Sequence, residues 1–137
     1  MFSVAPDKVG KLRVTTVCLE HGKDDPTPRM KYKLVPIESF TQNQDVIELC
    51  KMVGRGEIPQ NAAQAAAWHV TDGLSWSELA HKDRVRLRSG YTEKYFSPQE
   101  LHLAVRIFST VQRRAEAQRD TEEQSPGDVQ IESLSVR

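Results

Sequence analysis

Residues 41–73 read TQNQDVIELCKMVGRGEIPQNAAQAAAWHVTDG, and the fold is decided by how this stretch is read. Thr41 has the side chain of an N-cap, and Val46, Leu49, Cys50 and Val53 recur at the i, i+3, i+4, i+7 spacing of one buried helical stripe. This predicts a helix over 41–53, ended by Gly54 and Gly56, with Cys50 in the core. Pro59 suits the first turn of a second helix, which continues through the alanine-rich run 61–70 and stops near Gly73.

Downstream the helical signals continue. Ser75 with Glu78 has the form of a capping box and opens a short helix over 76–81. Ser97, Pro98 and Glu100 repeat that signature at the head of the longest helix, 98–119, whose expected buried stripe is Leu101, Ala104, Val105 and Phe108. Between these helices the sequence is ambiguous, with Arg84, Val85, Arg86, Leu87 and Arg88 alternating like a strand edge.

Upstream, residues 9–20 alternate as a strand does, with Leu12, Val14, Thr16 and Cys18 on one face and Arg13, Thr15, Val17 and Leu19 on the other. Loop chemistry follows over 21–29, where Gly22, Asp24, Asp25, Pro26 and Pro28 cluster, and 30–36 reads as a second short strand. Pairing the two as a hairpin is the economical topology. The expected fold is therefore α+β and mostly helical: an N-terminal β-hairpin packed on three to four helices, with a long C-terminal helix. One domain over 1–121 is expected, followed by an acidic tail over 122–137 in which Val129, Ile131, Leu134 and Val136 would order only against a partner.

Composition narrows the function classes. Nineteen Lys and Arg balance nineteen Asp and Glu, so binding dominated by phosphate neutralisation is not expected, and nucleic acid is not an expected partner. No apolar run approaches the ~18–20 residues of a membrane span. The first eleven residues lack the basic stretch and apolar run of a secretory signal. Export or surface display would require a signal already removed, and the alternative is the cytoplasm. His21, His69, His81 and His102 do not fall at metal-ligand spacing with the cysteines, and no nucleophile elbow, phosphate loop or paired-acid motif occurs. No metal, cofactor or catalytic residue set is expected.

What stands out chemically is an amide among methyl groups. Gln64 lies within Ala62, Ala63, Ala65, Ala66 and Ala67, one turn before Trp68, and small side chains let another backbone approach. Cys18 ends the first strand. If that strand packs on this helix face, the sulfur would reach the Gln64 amide carbon, and thiolate attack with loss of ammonia would leave an internal thioester sheltered by Trp68. Two alternatives stand beside it: a Cys18–Cys50 disulfide, and two buried free thiols with Gln64 solvated. His21, three residues after Cys18, is either a base that generates thiolate or a solvated turn residue.

Val17, Cys18 and Leu19 with Gly22 and Lys23, together with Ala63, Gln64, Ala65, Ala66, Ala67 and Trp68, resemble the paired motifs of bacterial thioester domains found in surface adhesins. The resemblance covers two short motifs within residues 16–68. It implies a Cys18–Gln64 thioester that captures nucleophiles on a protein or surface ligand, with His21 and Trp68 in support. The competing expectation is a helical protein–protein interaction domain without covalent chemistry, which uses its long C-terminal helix.

Overall fold

The computed structural model describes residues 3–124. Its elements are α1 (Ile37–Phe40), α2 (Gln44–Gly54), α3 (Gln60–Asp72), α4 (Trp76–His81), β1 (Asp83–Arg86), β2 (Thr92–Lys94) and α5 (Pro98–Gln124). None of the helices among the described residues is long and apolar enough to cross a membrane.

The centre of the molecule is α3, flanked by α2 and α5, which also pack on each other. Seven consecutive α3 residues, from Ala62 to Trp68, are buried. The short alanine side chains let neighbouring elements approach the helix axis closely on several sides, and Ala also has the highest helix propensity. Against it α5 turns Ala104, Ile107, Val111 and Ala115. This stripe is rotated from the expected one: Val105 is exposed, and Leu101 and Phe108 are half-buried. Leu49, Leu79 and Phe96 complete the core with α3.

Local capping explains where the helices begin and end. Asn43, rather than Thr41, caps α2 by accepting from Asp45 N, because residues 37–40 form their own short turn of helix and Thr41 ends it. Gly73 closes α3 with φ 68°, a left-handed conformation open to glycine. Both halves of the capping box are formed at Ser75 and Glu78. Glu100 N likewise donates to Ser97 Oγ at the head of α5, while Ser97 N donates to Glu100 Oε1. The backbone and hydroxyl bonds from Ser75 hold the Glu78 carboxyl below the usual range, so this contribution is present above the unfolded carboxylate range and is lost as pH falls through the lowered value. Ser75→Ala is expected to cost about 1 kcal/mol in urea unfolding at neutral pH, with a smaller difference in acid.

The N-terminal hairpin is not present. The strands lie mid-chain, where β1 and β2 pair antiparallel with Asp83 opposite Lys94 and Arg86 opposite Thr92. Gly90, at φ 90°, lets a tight turn close them, and Leu87 N donates to Tyr91 O. Asp83 ties the pair, accepting from Arg86 and Lys94, which hold its carboxyl below the usual range. Residues 9–20 and 30–36 instead pair with no strand, with Val9 89% and Leu34 103% exposed. Two physical reasons account for the difference. The proline-containing segment 21–29 is a poor hairpin turn compared with residues 87–91. One edge of residues 16–18 is also already occupied by side chains of α3.

Helix α5 continues to Gln124, through the start of the expected tail; residues 125–137, with Val129, Ile131, Leu134 and Val136, lie outside the described residues.

Candidate functional site

On α3, residues 60, 64, 68 and 72 follow one i, i+4 row, and residues 16–21 lie along that row. Gln60 Nε2 donates to Thr16 O at 2.9 Å. One turn on, Gln64 is bonded twice to a single residue: Cys18 N donates to its Oε1 at 2.7 Å, and its Nε2 donates to Cys18 O at 2.7 Å. The Trp68 ring then meets the His21 ring edge-on at 4.8 Å, and Asp72 Oδ2 accepts from His21 N at 3.2 Å.

The register follows from geometry. Four helical residues rise about 6 Å and two extended residues span about 6.6 Å, so alternate backbone groups of an extended segment meet successive turns of the helix. The two glutamines thus act on residues 16–18 as a neighbouring strand would. Alanines on either side keep bulk away, and Gln64 is itself buried with both ends of its amide paired.

The expected pair Cys18 and Gln64, 46 residues apart in sequence, is therefore brought together, but the contact runs through the Cys18 backbone. The half-buried thiol turns aside and donates to Glu20 O at 3.2 Å. Across the double hydrogen bond the Gln64 Cδ faces the Cys18 Cα, which carries the side chain ending in sulfur. An open cleft of about 720 Å³ borders this point, with residues 16–20 and Gln64 on one wall and Tyr32, Lys33 and Phe40 among the others.

Cys50 is elsewhere. It lies on α2 beside Thr15 and Val17, half-buried, and burial pushes its thiol up. Both cysteines are free thiols in this structure.

His21 is not a lone turn residue. Lys82 Nζ lies 2.9 Å from its Nε2, and the same ammonium sits 5.3 Å from the Trp68 ring and 5.5 Å from Tyr95. Ammonium has only donors, so with Lys82 charged the imidazole Nε2 accepts and the ring proton is assigned to Nδ1. Arg84 stacks on Tyr95 at 4.7 Å. Among the described residues no group of three or more His, Cys, Asp or Glu could hold a metal. His69 stacks on Trp76, His81 bonds the carbonyl of Ser77, and His102 is exposed on α5.

Gln60, Asp72 and Lys82 were not among the expected site residues. The first two lie four residues before and eight after Gln64, a spacing that would have marked them once Gln64 was suspected. Lys82 has no such signal, because it reaches His21 across 61 residues of sequence. No family model, curated protein or solved structure matches this chain.

Proposed function

We propose that this chain is a non-catalytic binding module of the adhesion type in which Cys18 and Gln64 form an internal thioester that captures a nucleophile covalently. The observation that carries the reading is the pinning of the Gln64 amide against Cys18 by two 2.7 Å hydrogen bonds beside an open cleft. To react, the sulfur swings about χ1 from Glu20 O to the face of the amide, and Gln64 Nε2 releases Cys18 O. The thiolate adds to Cδ; the C–N bond breaks, and Nε2 leaves as ammonia with the proton lost by the thiol. An incoming amine would then add to the thioester carbonyl, expel the Cys18 thiolate, and remain bound to Gln64 Cδ as an amide while the thiol regains a proton. The captured group stays, so each chain reacts once.

Intact mass tests this directly. The purified chain is expected to be lighter by one ammonia and to gain one methylamine on exposure to it, with Cys18→Ser showing neither. A full-mass chain inert to methylamine overturns the covalent reading. A second reading has its own observation: with both amide ends satisfied, Gln64 already has a structural role in fastening residues 16–18 to α3. Under that reading the module binds its partner without a covalent bond, and the mass remains full.

A further inference from the structure

An extended chain alternates its hydrogen-bonding groups between two edges. Thr16 O, Cys18 N and Cys18 O all point to α3, so the N–H and C=O groups of Thr15 and Val17 belong to the other edge. Among the described residues no protein group pairs with them. Along that side, open cavities of about 220 and 320 Å³ separate residues 13–17 from the C-terminal end of α2. Val53 lies there, and Gly54 and Gly56 have nothing within 4 Å of where a Cβ would stand. Nearby apolar side chains are also uncovered: Leu12 is 69% and Val14 65% exposed.

We infer that residues 11–17, a segment outside any sheet with one free main-chain edge, take an extended, carboxylate-bearing segment of another polypeptide by main-chain pairing at Thr15 and Val17. Exposed strand edges are the template for such addition. The charge points to an acidic occupant: residues 8–19 contain Lys8, Lys11 and Arg13 and no carboxylate, and none of the three cations has an ion-pair partner among the described residues. A second copy pairing antiparallel at Thr15 and Val17 would set Arg13 opposite Val17, Leu19 or His21, none of which is a carboxylate. The inference goes beyond covalent capture and does not require it. A docked segment would nevertheless lie beside Cys18 and so bring its own side chains near the Cys18–Gln64 pair.

The test uses the full chain carrying Cys18→Ser, which cannot form the thioester, and a synthetic peptide of alternating glutamate and valine or threonine. In amide-resolved NMR the peptide is expected to bind saturably, shift the Thr15 and Val17 amides and slow their hydrogen exchange about tenfold. Methylating alternate peptide nitrogens, so that main-chain donors are lost, should weaken binding by about tenfold or more. Arg13→Glu, at an exposed side chain, should weaken the glutamate peptide and favour its lysine counterpart. No saturable shift, equal binding of the methylated peptide, or shifts confined to another face would each overturn the inference.

Discussion

Gln64→Leu is expected to release residues 16–21 from α3 and to lower the unfolding free energy by about 2–4 kcal/mol. Leucine nearly matches glutamine in volume, so the loss does not come from a cavity. It comes from two 2.7 Å hydrogen bonds and from leaving the half-buried N–H and C=O of Cys18 unpaired. Each bond contributes roughly 0.5–1.5 kcal/mol net, and a stranded buried polar group costs roughly 1–3. Urea unfolding would measure the total, and hydrogen exchange at residues 16–21 would show whether opening is local. Gln64→Glu sharpens the test: the carboxylate still accepts from Cys18 N but has no donor for Cys18 O, so its defect should shrink on acidification. A leucine variant with wild-type stability and unaltered exchange would sink the clamp.

Phe96→Ala is expected to cost about 3–5 kcal/mol, the range for deleting a large buried ring. Phe96 is 2% exposed and stands between β2 and α5, with its ring 5.9 Å from Trp68 and 4.7 Å from Tyr95. Its removal would open a cavity against the residue that receives His21, so the site should loosen along with the core. Urea unfolding gives the stability change, and Trp fluorescence reports whether the surroundings of Trp68 have changed. A cost below about 1 kcal/mol would mean that α5 relaxes onto α3 without it.

The helices were legible because their signals are local. The Ser75–Glu78 box satisfies backbone groups within one turn, and Gly73 ends α3 by its own conformation, so both are readable from a few adjacent residues. The stripe on α5 was less legible. Leu101, Val105 and Phe108 fit a helical period as well as Ile107 and Val111 do, and only the position of α3 selects which row is buried. The alternation in residues 9–20 announced a chain able to form a strand, which is a statement about side chains. It carried no information on what would pair with the backbone.

The candidate site divides along the same line. Cys18 and Gln64 were recognisable by residue type and by the alanines around the amide. That the amide holds the Cys18 backbone, with the sulfur turned to Glu20, could not be read from those features. By itself the sequence determined helices α2 to α5 to within a few residues, the caps at Ser75, Ser97 and Gly73 and the small-residue surface of α3, since each depends on hydrogen bonds closed within about four residues, whereas α1 and the cap of α2 at Asn43 were not foreseen. Only the tertiary structure decided what lies on that surface. Residues 16–18 and α3 are joined across more than forty positions, and the choice between a strand and two glutamines as partner depends on which of them the rest of the fold brings near.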